Sequence, residues 1–87
     1  MNFSFHYDKQ PSKFLKGCEK QTAGRIVDKT EDTLSKSPVP HNAVKVVGEQ
    51  GIFRIRIGDF RVLYRIDYQQ GKIVIVRIDK RDSVYRN

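Results

Sequence analysis

The chain carries one cysteine, Cys18, among its 87 residues, which excludes an internal disulfide and any paired-cysteine metal site. A chain without such a staple fits a reducing compartment, and a lone thiol here is expected to be an ordinary, partly buried helix residue. Long apolar runs are missing too. No stretch approaches the ~20 residues of a membrane helix, and Met1 to Gln10 lacks the roughly 7–15-residue apolar core of a secretory leader. These absences lead to the expectation of a cytoplasmic protein with no membrane contact. Histidine is scarce, and His6 and His41 are expected on a strand surface and in a loop. Negative charge is in the minority: ten Asp and Glu stand against seventeen Lys and Arg, a net charge of +7. That surplus points to a polyanionic partner, nucleic acid before membrane, although solubility alone accounts for such a charge on many small domains.

The length allows one domain, residues 1–87, and a chain this short buries only about 60–65% of its unfolded surface. Asn2 to Tyr7 alternates, with Phe3, Phe5 and Tyr7 on one side, which predicts a half-buried strand. Pro11 and Ser12 suit a helix start and Gly17 its end. Ala23, Ile26, Val27, Thr30 and Leu34 share one helical face, opposite Arg25, Asp28, Lys29 and Asp32. Ser37, Pro38 and Pro40 stop that second helix. After them the period becomes two. Ala43 to Val47 predicts a short strand, Ile52 to Ile57 and Phe60 to Asp67 a hairpin, and Lys72 to Asp79 a last strand behind the Gln69-Gln70-Gly71 turn. Helices early and strands late predict an α+β fold: an N-terminal strand, a helical hairpin, then an antiparallel meander.

Gly58-Asp59 as a two-residue turn of type II′ fixes the hairpin register. Ile57 then faces Phe60, Arg56 faces Arg61, Ile55 faces Val62, and Arg54 faces Leu63. One side is apolar, with Phe53, Ile55, Ile57, Phe60, Val62 and Tyr64. The other carries Arg54, Arg56, Arg61 and Arg65. On the last strand Val74, Val76 and Ile78 are expected to continue the core, with Arg77 on the arginine side. Like charges directly opposite destabilise a sheet by ~0.2–1 kcal/mol, so Arg56 across from Arg61 is an odd choice for a merely solvated face. Asp59, Asp67 and Asp79 are expected at turns or strand ends rather than among the arginines. A bound phosphate, held by guanidinium forks, would relieve the repulsion. The chain closes on Lys80-Arg81-Asp82-Ser83-Val84-Tyr85-Arg86, cations around an aromatic ring. Such a ring can stack on an unpaired base while the cations hold the backbone; a frayed terminus accounts for the segment equally well.

The segment Phe53-Arg54-Ile55-Arg56-Ile57-Gly58-Asp59-Phe60-Arg61-Val62-Leu63-Tyr64-Arg65-Ile66 closely resembles the central hairpin of the RelE/ParE toxin superfamily. The tail Lys80 to Tyr85 resembles the end of its RelE branch, and the order of elements matches over nearly the whole chain. The resemblance implies a RelE-like fold, with two helices packed on one face of a four- to five-stranded, mostly antiparallel sheet. It also implies the toxin of a type II toxin–antitoxin system, a ribosome-dependent endoribonuclease (mRNA interferase) that inhibits translation. Such toxins cut mRNA in the ribosomal A site by attack of the 2′-hydroxyl on the adjacent phosphate, giving a 2′,3′-cyclic phosphate, with no metal and no cofactor.

Carried over to this sequence, the resemblance implies Arg56, Arg61, Arg81 and Tyr85 as catalytic residues. It implies Arg54 as a further RNA contact, and by charge and neighbourhood Lys45, Arg65, Arg77, Lys80 and Arg86 are expected to join it. Two departures are visible. Arg54 and Arg56 stand where some relatives have lysine, and an arginine stays protonated above pH ~12, which makes Arg56 a poor general base. Val47 stands where some relatives have an arginine before the glycine, and Lys45 is the nearby cation that compensates.

The implied partners are a cognate RelB-like antitoxin, in a heterodimer or heterotetramer, together with mRNA and the ribosomal A site with its rRNA. An acidic, largely disordered antitoxin can fold onto a small basic domain. Two other readings belong beside this one. A ParE-like protein shares the hairpin but inhibits DNA gyrase, generally without the basic-plus-tyrosine ending. A non-catalytic relative would use the same basic face only to dock on RNA.

Overall fold

The computed structural model describes residues 2–80. Strand β1 (Ser4–Tyr7) keeps the alternation predicted for the N-terminus. The chain then turns at Asp8 into helix α1 (Lys9–Lys16), which starts two residues before Pro11. Pro11 sits in the first turn, where a missing N–H breaks no helical bond, and its ring is buried. The Gly17 amide donates to the Lys13 and Phe14 carbonyls at 3.2 and 3.1 Å, closing α1 where the sequence predicts.

Helix α2 (Lys20–Lys36) extends past both ends of its apolar stripe. Those end turns are solvent-facing and need no apolar signature. Its buried residues, Ile26, Thr30 and Leu34, belong to the predicted apolar face. Strand β2 is two residues, Val44–Lys45, rather than the expected five. Beyond it the chain swings through Gly48 and Gly51 at φ 86° and 75°, and the Val46 amide closes the loop on the Ile52 carbonyl at 2.9 Å.

The rest is a meander of β3 (Phe53–Ile57), β4 (Phe60–Asp67) and β5 (Lys72–Lys80). The β3–β4 register is the predicted one, residue for residue. Gly58 lies at φ 60° while Asp59 is not at positive φ, the type II′ pattern. The sheet order is β1-β5-β4-β3-β2, with β1 parallel to β5 and every other pair antiparallel. Two helices thus cover a mixed five-stranded sheet, α1 over β5 and α2 over β3.

The core lies between them. Ile55, Val62, Tyr64, Ile73, Ile75 and Ile78 pack against Ile26 and Leu34. Each fully buried side chain of this size contributes about 1.5–3 kcal/mol of apolar burial. One expectation is corrected here. A bulge interrupts the β4–β5 ladder at Leu63/Tyr64: Tyr64 pairs with Ile75 and Leu63 with Arg77, so Val76 is the unpaired extra residue. Before it the inward residues are Ile73 and Ile75; after it, Ile78. Val74 is buried as expected but lies on the other face, beside Arg65, and Val76 is only half-buried outside the core cluster.

Candidate nucleic-acid interface

Because side chains alternate along a strand, packing Ile55, Ile57, Val62 and Tyr64 under the helices turns the intervening residues to the opposite face. The register then builds rows across that face. Val44, Arg54, Leu63 and Arg77 form one row, Arg56, Arg61 and Asp79 the next, and Arg65 with Val74 and His6 lies farther along. Arg54, Arg56, Arg61, Arg65 and Arg77 are therefore brought together on one face. Arg56, Arg65 and Arg77 are exposed, while Arg54 and Arg61 are half-buried. Arg54 and Arg56 line a cleft of about 350 Å³ together with Asn42 and Val44.

Two predicted cations lie elsewhere. Lys45 pairs with Phe53 and Lys80 with Phe60, which sets both on the helix-covered side of the register. Lys80 there lines a second hollow with Lys13, Phe14 and Phe60. Arg81, Tyr85 and Arg86 lie outside the described residues.

The electrostatics differ from the sequence expectation at one position. Asp79 is not a bystander at a strand end. It stands directly opposite Arg61; Arg77 Nε donates to Asp79 Oδ2 at 2.8 Å, and Arg61 Nη2 lies 3.8 Å from the same oxygen. The like-charged pair Arg56 and Arg61 thus has a carboxylate on one flank. Arg61 Nε is buried and has no hydrogen-bond partner among the described residues.

The alternation that turns Arg77 outward turns Asp79 outward too; what the sequence reading lacked was the β4–β5 register, which the bulge at Val76 shifts so that Asp79 stands opposite Arg61. The sequence reading also missed Gln10. Its side-chain amide donates to the Ile78 carbonyl and accepts from the Ile78 amide, both at 2.9 Å. That contact fixes the backbone between Arg77 and Asp79 from α1.

The face can bind anions through several guanidinium forks on a rigid sheet, and it can concentrate positive charge where a phosphoryl group gains negative charge. A second surface is a groove of about 250 Å³ between α2 and the β3–β4 turn, with Ile26, Ile57 and Phe60 as its floor and Arg25 and Lys29 at its rim. Tyr7 and Tyr64 belong to the scaffold. Burial raises both phenols above the ordinary tyrosine range; Tyr7 is raised further by its hydrogen bond to Glu31, and Tyr64 by the nearby Tyr68. No helix among the described residues is long and apolar enough to cross a membrane.

Known proteins resemble this chain over almost its whole length. A family model described as the ParE toxin of the type II toxin–antitoxin system parDE matches residues 6–85. A protein named toxin RelE1, from Methanocaldococcus jannaschii, is 29% identical over 90 residues that span 100% of this chain and 99% of that protein. A chain of the RelBE2 toxin–antitoxin complex from Mycobacterium tuberculosis superposes with a TM-score of 0.80 at 26% identity, over 93% of this chain and 100% of that one. A chain of the archaeal RelE–RelB complex from Pyrococcus horikoshii gives a TM-score of 0.73 at 28% identity, over 93% and 97%.

Proposed function

The chain belongs to the ParE toxin family of type II toxin–antitoxin systems, within the RelE/ParE superfamily, and from that premise we propose that it is a RelE-like endoribonuclease that cuts mRNA in the ribosomal A site. The observation that carries this reading is the set of five arginines that the β3–β4–β5 register gathers on one sheet face. A solvated face would intersperse both signs; here Asp79 stands beside Arg61 and Arg77, yet Arg56 still lies directly against Arg61, an arrangement that a bound phosphate relieves.

The reaction is attack of the 2′-oxygen on the adjacent phosphorus. The O2′–P bond forms, the P–O5′ bond breaks, and the proton lost from the 2′-hydroxyl is balanced by one gained at the 5′-oxygen. Negative charge grows on the phosphoryl oxygens, where a preorganised donor contributes most. Arg61, held mid-strand, fills that role. Arg54 and Arg56 grip the flanking phosphates, and Arg65 and Arg77 extend the cationic track. Arg81 neutralises the departing oxygen, and Tyr85 stacks on a base or orients the nucleophile. The proton of the 2′-hydroxyl leaves by water, rRNA or Tyr85.

An antitoxin partner accompanies this reading, because the similar RelE chains are found in complexes with RelB. The apolar groove rimmed by Arg25 and Lys29 suits an acidic amphipathic segment of such a partner. The family's ParE name favours a second reading, inhibition of DNA gyrase. One experiment separates them: purified protein is added to programmed ribosomes and, in parallel, to a gyrase supercoiling assay. The nuclease reading expects cuts in the A-site codon with 2′,3′-cyclic phosphate ends and unaffected gyrase. Blocked supercoiling with intact mRNA would establish the second reading instead.

A further inference from the structure

Asp79 brings a negative charge among the arginines of this face, and its place there is specific. One oxygen, Oδ2, serves two guanidinium groups: it accepts from Arg77 Nε at 2.8 Å and lies 3.8 Å from Arg61 Nη2. The Asp79 and Arg61 side chains are only 24% and 22% exposed, whereas Arg77 is 55% exposed. The two inner groups therefore meet where solvent screening is reduced and charge acts more strongly than in open water. Arg61 faces Arg56 on its other side, and a lone guanidinium so placed would swing away from its neighbour. A single oxygen shared by two arginines is also the arrangement that one phosphoryl oxygen adopts between guanidinium groups.

We infer that Asp79 is a positioning residue whose carboxylate holds Arg61 and Arg77 from beside the place where a substrate phosphoryl oxygen is received. The inference rests on the nuclease reading of this face. Two effects follow from the same contact. The carboxylate holds Arg61 in the orientation that the reaction uses, so losing it slows the chemical step. Its charge also opposes an arriving phosphate, so losing it tightens RNA binding. A residue that only stabilised the sheet would do neither; it would shift the melting temperature and leave affinity alone.

The test uses the full chain with Asp79→Asn, which keeps size and removes charge, and with Asp79→Ser as a second variant should the amide disturb packing. Thermal melting confirms the fold of each. Binding is read on a short single-stranded oligonucleotide with 2′-deoxyribose, which cannot be cut, and cleavage on programmed ribosomes at saturating protein. The expected result is about fourfold tighter oligonucleotide binding at low salt and a cleavage rate about tenfold lower. In an Arg61→Lys background, Asp79→Asn should add little further loss of rate, because its effect passes through Arg61.

Unchanged or weaker binding in both folded variants, with an unchanged rate, overturns the inference while wild-type cleavage leaves the nuclease reading standing. Wild-type protein that never cuts overturns the nuclease reading. The binding arm then still decides whether Asp79 opposes phosphate on this face.

Discussion

The Tyr64 hydroxyl donates to the Pro38 carbonyl at 2.7 Å, fastening the middle of β4 to the loop that leaves α2. Tyr64 is wholly buried, stacks against Phe53 with ring centroids 5.8 Å apart, and sits in the centre of the core. Tyr64→Phe keeps the ring and strands the carbonyl. Urea denaturation should show a loss of about 1–2 kcal/mol with an unchanged m-value. Oligonucleotide binding should not move, since Tyr64 lies on the helix side of the sheet. An unaltered midpoint would show that this bond contributes nothing.

Gln10 acts on β5 in the same way from α1. Strand β1 ends at Tyr7, so among the described residues the outer edge of β5 beyond Ile75 has no strand partner, and the Gln10 amide supplies both bonds at Ile78. Gln10→Met, similar in length but without donor or acceptor, should cost about 1–3 kcal/mol. It should also lower hydrogen-exchange protection of the Ile78 amide specifically. Full protection in the variant would mean that other contacts hold this edge.

The raised phenols predict an alkaline limit. Above pH ~10 the unfolded chain loses tyrosine protons that folded Tyr7 and Tyr64 retain, so the folded state binds more protons and stability falls as pH rises. Below that pH both states are protonated at these sites, and neither phenol makes stability depend on pH. Denaturation midpoints from pH 8 to about 11.5, followed beside phenolate absorbance, should show these two rings ionising together with unfolding. Ionisation in the folded protein near the ordinary tyrosine value would contradict the account.

The placement of cations predicts which of them bind phosphate. On a single-stranded oligonucleotide, Arg54→Ala and Arg56→Ala should each reduce the slope of log affinity against log salt by about 0.7. Lys45→Ala should leave the slope unchanged, because its register position is on the other face. Equal effects from all three would mean that the oligonucleotide wraps the edge at β2.

Much of this was readable in the residues. The Gly58-Asp59 turn set the register of β3 and β4, and with it the opposition of Arg56 and Arg61, because a two-residue loop leaves only one pairing. The α2 stripe was equally plain. What alternation did not disclose was the extra residue at Val76, a defect in the ladder rather than a pattern. Through it Ile73 and Ile75, rather than Val74 and Val76, face the helices, and Asp79 arrives opposite Arg61. Lys45 and Lys80 were assigned to RNA by charge and neighbourhood, while the face of a strand residue follows from pairing. The pairing of β1 with β5 joins residues nearly seventy positions apart, a long-range contact that no local spacing encodes.

The central claim is that Arg61 acts on mRNA held by the ribosome. Single-turnover cleavage of mRNA on ribosomes stalled with an open A site, mapped by primer extension, tests it with wild type, Arg61→Ala and Arg61→Lys. The account predicts cuts within the A-site codon for wild type. It predicts a rate about 10²–10³-fold lower for Arg61→Ala and an intermediate rate for Arg61→Lys, with all three folded by circular dichroism. A folded Arg61→Ala that cuts as fast as wild type, at the same positions, would contradict it.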